Sequence, residues 1–242
     1  MEYEQSIFYK LQSKKRLKNF LFVKRDVYCE ENFINSKIKV FLQEGRIIEA
    51  PDPDIQVIQR NILRGLNILN VPDYLYSGVR QKGYKKCQEK HDNKKFLFSF
   101  DIKKFFYNTS REKVYNFFKE KLQTSNEVAE ILTIYSTIDL GLKKYCGSQQ
   151  IKNWVEKSEI SQRHLIAGAP QSVLLSFLVN NEMYEELNDY AQLNDLIFSS
   201  YVDDFFFSSD IEISQEKKDG LLHIINKYGY HVSENKIRYY IN

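Results

Sequence analysis

The chain reads as an α+β protein, a mostly antiparallel sheet with helices on one face. Three observations carry that reading. Leu196-Ile197-Phe198 precedes Tyr201-Val202-Asp203-Asp204, and Phe205-Phe206-Phe207 follows it, the pattern of two β-prone runs around a hairpin tip. Another run of strand length, Phe96-Leu97-Phe98-Ser99-Phe100, leads into Asp101. The segments around these runs carry helical spacing of apolar residues.

From the N-terminus, Lys10, Lys14, Lys15, Arg16, Lys18, Lys24 and Arg25 interleave with Leu11, Leu17, Phe20, Leu21 and Phe22. This predicts an amphipathic helix whose basic face is either solvated or set against phosphates. Gly45 to Pro51 reads as a turn and a short strand stopped by proline. A helix is predicted from Asp54 to about Leu69, with Ile55, Ile58, Ile62, Leu63 and Leu66 on its apolar side. Basic residues then gather between Arg80 and Lys95, ahead of the first acidic strand. Helices are expected from Ser110 to Leu122 and from Asn126 to Ile138, then an irregular polar stretch from Gly147 to Gln162. One helix is predicted over Gln171 to Tyr190, followed by the acidic hairpin. A helix from Gln215 to Lys227, a stop at Gly229 and a last strand through Ile237 close the chain. Trp154, in the polar stretch, either stacks on a base or closes a local cluster; His164 and His223 read as packing or surface residues.

Bulk properties bound the function. The 242 residues, 43% hydrophobic and 28% charged, suit one large or two small globular domains. Net charge is only +3, from 35 basic against 32 acidic residues, so contact with nucleic acid has to rest on local clusters. Cys29, Cys87 and Cys146 are too far apart for a zinc site or a disulfide framework, which suits a reducing cytosol. No signal peptide is apparent, and the longest apolar stretch, around Ala167 to Val179, is too short and interrupted to span a bilayer. The expectation is a cytoplasmic protein with no membrane partner.

The chemistry centres on the acids. Carboxylates about 4 Å apart repel by roughly 4 kcal/mol at an effective dielectric near 20. Either one takes up a proton or a divalent cation binds. An ordinary hairpin turn fits the tetrapeptide equally well, since Asp is a common turn former. Asp101 breaks the tie, because an acid at the end of a buried strand is costly unless compensated. Three carboxylates from two neighbouring strands could hold two Mg²⁺ ions, a phosphoryl-transfer arrangement.

On these residues the chain resembles reverse transcriptases, most closely those of bacterial retrons and antiphage defence. Phe100-Asp101-Ile102-Lys103-Lys104-Phe105-Phe106 matches the family's motif A, and Tyr201-Val202-Asp203-Asp204 matches motif C. Gly229-Tyr230-His231-Val232 followed by Lys236 matches motif D. Arg46-x-Ile48-x-x-Pro51 and Ile58-Gln59-Arg60 resemble the fingers strand and helix, so the likeness runs from about Gly45 to Lys236. His91 stands where retron enzymes carry the His of an Asn-Ala-x-x-His element, here reduced to Cys87-Gln88-Glu89-Lys90-His91.

The resemblance implies right-hand polymerase fingers and palm: fingers over 1–95 with the basic N-terminal helix, palm over 96–242 with 111–165 a partly fingers-like insertion. It implies DNA synthesis from dNTPs on an RNA template, with two Mg²⁺ ions for which Mn²⁺ substitutes. By position, Asp101, Asp203 and Asp204 become metal ligands and Lys236 a catalytic residue near the leaving pyrophosphate. Arg46 becomes a triphosphate contact and Phe106 a gate against the ribose 2′-hydroxyl. Motif B reads Ile166-Ala167-Gly168 where the family has Pro-Gln-Gly, so Gln171, four residues on, is the candidate to supply the missing amide. The chain stops just past motif D, which predicts an absent thumb, supplied by a partner chain, a bound RNA or a longer product. Partners implied are an RNA template and primer or a structured non-coding RNA. Untemplated or protein-primed synthesis and a palm-fold RNA- or protein-binding module are the competing readings.

Overall fold

The computed structural model describes residues 1–142, 149–158 and 160–241. Its first part carries helices α1 (Lys14–Leu21) and α2 (Glu31–Ser36), strands β1 (Ile38–Gln43) and β2 (Arg46–Pro51), and helix α3 (Pro53–Leu66). Helix α4 (Tyr84–Glu89), strand β3 (Phe96–Asp101), helices α5 (Phe105–Asn108), α6 (Arg111–Asn116) and α7 (Asn126–Ser136) and strand β4 (Thr137–Asp139) follow. The last part holds α8 (Gln149–Lys157), β5 (Arg163–Leu165), α9 (Ser172–Val179), α10 (Asn181–Leu193), β6 (Ile197–Tyr201), β7 (Asp204–Ser209), α11 (Gln215–Lys227) and β8 (Arg238–Ile241). The paired strands are antiparallel throughout. Mixed helix and antiparallel sheet is the class the sequence predicts.

Two compact units form, each from two chain segments: Met1–Asn70 with Phe106–Val179, and Val71–Phe105 with Asn180–Asn242.

In the first unit, α3 begins on Pro53, whose missing N–H costs nothing in a first helical turn. Ile55, Ile58, Ile62 and Leu66 line its buried face. Strands β1 and β2 close through Glu44 and Gly45 at φ +49° and +74°. Positive φ at both turn residues matches the twist of a hairpin and favours glycine. Ser125 caps α7, its Oγ accepting from the Val128 N–H at 3.3 Å. Ile38, Ile138, Leu140, Ile166 and Ala169 form a core against which Val155 and Ile160 pack. That packing explains a departure from expectation. Gln149–Lys157 is helical rather than irregular, because Ile151 and Val155, four apart, share an inward face. Trp154 closes a local cluster: its indole N–H donates to the Gly45 carbonyl at 2.9 Å and its ring meets Tyr107 edge-on. Cys146 and Gly147 lie outside the described residues.

The second unit is built on a four-stranded sheet in the order β6-β7-β3-β8. Alternation along the strands separates two faces. Phe98, Phe100, Phe198, Phe205 and Phe207 form an aromatic layer on one, with Tyr184 of α10 against Phe205. Ser199, Phe206 and Ser208 lie on the other, covered by Cys87 of α4 and by His91. The expectation of helices on one face is therefore corrected: α10 and α4 lie on opposite faces. Serines opposite phenylalanines leave that second face polar enough to take a histidine. The single helix expected over Gln171 to Tyr190 is two, broken at Asn180, whose side-chain oxygen accepts from the Tyr230 hydroxyl at 2.9 Å. Asn readily exchanges helical for side-chain hydrogen bonding. Helix α11 forms with the predicted bounds, capped by Ser214.

Candidate active site

Strand register brings the acids together. Asp101 ends β3 directly opposite Asp204, the first residue of β7, and Asp204 also pairs with Tyr201 of β6. Val202 and Asp203 are thus the two-residue loop of the β6–β7 hairpin. Val202 sits at φ +57°, a region a β-branched residue rarely adopts. Two contacts hold it there. The buried Tyr184 hydroxyl donates to the Val202 carbonyl at 3.0 Å, and the Ile102 N–H donates to the Asp203 carbonyl at 2.9 Å.

The other side of β3 is lined by the segment after Gly229. Lys103 N–H donates to the His231 carbonyl, Ile102 bridges Val232, and Ser233 N–H donates to the Asp101 carbonyl, the two hydrogen bonds being 2.8 Å. A 3₁₀ turn over Glu234–Lys236 then lifts the chain before β8 rejoins the sheet. This detour puts Lys236 Nζ 2.7 Å from Asp101 Oδ2, while Ser233 Oγ donates to Asp101 Oδ1 at 2.7 Å. Asp101 is buried at 6% exposure, whereas the Lys236 side chain is half exposed.

Burial, and then the Asp101 charge, push the Asp203 carboxyl up to about 6, with Lys236 opposing. The same two causes, in the same order, raise Asp204. These are acids short of counter-charge. All-oxygen carboxylate donors suit a hard divalent cation such as Mg²⁺. Among the described residues, however, no three or more His, Cys, Asp or Glu side chains converge on a metal position as they stand. Asp101 commits both oxygens to Ser233 and Lys236 instead.

His91 supports the hairpin from the α4 face. Its Nδ1 lies 2.6 Å from Ser208 Oγ on β7 and its Nε2 2.6 Å from Ser199 Oγ on β6. Burial, and to a lesser degree Lys90, lower its pKa to about 4, so the ring is neutral at physiological pH. Tyr84, at the start of α4, packs edge-on to Tyr201 and Phe206.

Of the predicted site residues, Asp101, Asp203, Asp204 and Lys236 meet in the second unit, while Arg46, Phe106 and Gln171 belong to the first. Arg46 is exposed at the start of β2, opposite Gln43. Phe106 is half-buried in the short α5. Gln171 is fully buried, its amide donating to the Tyr135 carbonyl at 3.1 Å and to Ser136 Oγ at 3.3 Å. Its amide nitrogen is thus committed within the first unit.

Three residues escaped the sequence reading: Ser233, His91 as a strand clamp, and Glu49. Glu49 Oε1 lies 2.6 Å from His164 Nε2, and its Oε2 accepts from the Ala167 N–H at 2.9 Å. This anchors the motif B loop to β2. A Cβ on Gly168 would stand 2.0 Å from the Glu49 carbonyl oxygen, so only glycine permits the approach. A signal for Glu49 was present, since strand alternation from the apolar Ile47 puts it on the buried face, where a charge needs a partner.

The first unit also carries a basic cleft of about 760 Å³, lined among others by Lys14, Lys15, Lys18, Lys24 and Phe22. Lys18 is paired with Asp26 at 2.7 Å. Phe22 is 64% exposed at φ +60°, where α1 ends.

The antiparallel sheet thus brings a strand-end aspartate opposite an Asp-Asp hairpin. The chain belongs to the reverse transcriptase family: residues 36–241 match the family described as Reverse transcriptase (RNA-dependent DNA polymerase). It is similar to the Retron Se72 reverse transcriptase of Salmonella heidelberg (strain 579083-10), 23% identical over 199 residues covering 80% of this chain and 46% of that protein. It is also similar to the Retron Ec83 reverse transcriptase of Escherichia coli, 25% identical over 167 residues covering 68% of this chain and 49% of that protein. The matches thus span about half the length of these curated relatives. No helix among the described residues is long and apolar enough to cross a membrane.

Proposed function

We propose that the chain carries the polymerising centre of a retron-type reverse transcriptase, an RNA-directed DNA polymerase that extends a primer with dNTPs. The single observation that supports it best is the register of Asp101 opposite Asp204, with Asp203 in the adjoining turn. Membership of the reverse transcriptase family and the retron names of the relatives agree with it.

Asp101, Asp203 and Asp204 would hold two Mg²⁺ ions, or Mn²⁺ in their place. When bound, such ions supply Lewis-acid activation of the attacking 3′-hydroxyl and charge neutralisation on the leaving pyrophosphate. The remaining roles belong to this chain's own groups. The pinned hairpin holds Asp203 and Asp204 in fixed positions, so no reorganisation is needed as charge develops. Lys236, already beside Asp101, carries the positive charge and the proton that a departing pyrophosphate requires. Arg46 would form a charge-assisted fork on triphosphate oxygens, and Phe106 would exclude a 2′-hydroxyl by its bulk. The basic cleft with its exposed Phe22 supports contact with an RNA strand, lysines meeting phosphates and the ring a base.

Primer extension on a defined RNA template, with the product sequenced, tests the reading. Complementary DNA made only when template is present supports it. Product of random sequence, or product independent of template, replaces it with untemplated synthesis.

A further inference from the structure

Asp101 is the most buried of the three acids, and each of its three oxygens accepts a hydrogen bond. Its backbone carbonyl takes the Ser233 N–H, its Oδ1 the Ser233 hydroxyl and its Oδ2 the Lys236 ammonium. The whole turn from Ser233 to Lys236 is thus keyed to residue 101. We infer that Ser233 and Lys236 form a latch on Asp101 that competes with divalent cations, so that Asp101 binds metal more tightly once Lys236 has left. This rests on the metal reading of Asp101, Asp203 and Asp204 proposed above.

The competition is for the carboxylate's charge and for the lone pairs already in use. A carboxylate oxygen that accepts from an ammonium at 2.7 Å cannot also present that lone pair to a metal ion. The ammonium also supplies one of the positive charges the cluster needs, which reduces the attraction for a second cation. Release is easy on the lysine side. The Lys236 side chain is half exposed and rides on a short 3₁₀ turn, so its stem can swing into solvent without unpacking a core. An incoming triphosphate would give Lys236 another anion to pair with, and in doing so would free Asp101. Metal and nucleotide then favour each other's binding, because linkage is reciprocal. Ser233 and Lys236 are on this account positioning residues for the metal ligand, and nucleotide-free protein is a weak metal binder by construction.

Titration of Mn²⁺ by electron paramagnetic resonance, without nucleotide, reads the latch directly. Lys236→Met is expected to bind Mn²⁺ about tenfold more tightly than wild type, equivalent to about 1.4 kcal/mol. Ser233→Ala, which frees one oxygen but leaves the charge, is expected to tighten binding less, and Lys236→Arg to remain near wild type. Equal or weaker Mn²⁺ affinity in Lys236→Met overturns the latch while leaving the metal reading standing. If Asp203→Asn/Asp204→Asn binds Mn²⁺ as well as wild type does, the metal reading falls and the latch with it.

Discussion

His164 Nε2 lies 2.6 Å from Glu49 Oε1, and both side chains are entirely buried in the first unit. The pair joins β5 to β2, and through the second Glu49 oxygen it also fixes the Ala167 N–H. Removing Glu49 leaves the buried His164 Nε2 and the Ala167 N–H without their hydrogen-bond partner, each at about 1–3 kcal/mol. Glu49→Ala is therefore expected to lower unfolding free energy in urea by the two together. Glu49→Gln, which keeps an acceptor for Ala167, is expected to lose less. Two variants of equal, near-wild-type stability would contradict this role.

That pair also marks where legibility ended. The acidic hairpin, the strand before Asp101 and α11 could all be read directly, because each is specified by local periodicity and by punctuation such as Ser214 and Gly229. Helix α8 was hidden, since its few apolar residues are recognisable as a face only once the core around Ile138 and Ile166 is known. The break at Asn180 was hidden inside an almost unbroken apolar and helix-prone run. Within the site, Asp101, Asp203 and Asp204 stood out as charges in apolar runs. Ser233, 132 residues from its partner, had no such mark.

His91 gives the second unit an acid sensitivity. Its folded pKa, about 4, lies below the ordinary value of 6.5, so between those values the unfolded chain binds more protons. The stability it contributes is complete above about pH 6.5 and is lost as pH falls towards 4. The full loss is about 3 kcal/mol, from 1.36 kcal/mol per unit. Unfolding free energy measured from pH 7 to 4.5 should fall for wild type and fall less for His91→Gln. Parallel curves would show that His91 is not the titrating group.

Val202 holds a left-handed backbone at the tip of the acidic hairpin. Such a conformation costs on the order of 1–3 kcal/mol for a residue unsuited to it. Asn tolerates this region far better than a β-branched residue. Val202→Asn is accordingly expected to raise the thermal midpoint by a few degrees. A fall of similar size would mean that the Val202 side chain contributes more through contacts than its backbone loses.

The basic cleft makes a salt-dependent prediction. Lys15→Gln/Lys24→Gln removes two cations, which for a single strand lowers the slope of log affinity against log salt by about 1.4. Phe22→Ala is expected to weaken binding of a single-stranded RNA by about 1–3 kcal/mol without changing that slope. Fluorescence anisotropy over a salt series separates the two effects. Unchanged affinity and slope in both variants would place the RNA elsewhere.

Three carboxylates, Asp101 at the end of β3, Asp203 in the hairpin turn and Asp204 at the start of β7, are proposed to drive DNA synthesis. The most direct measurement is incorporation of labelled dNTPs on a primed RNA template with Mg²⁺ or Mn²⁺, comparing wild type with Asp203→Asn/Asp204→Asn. The account predicts incorporation by wild type that chelation abolishes, and a loss of at least about 10³-fold in the variant, the scale of an electrostatic contribution of about 4 kcal/mol. Equal incorporation by the two proteins would contradict it.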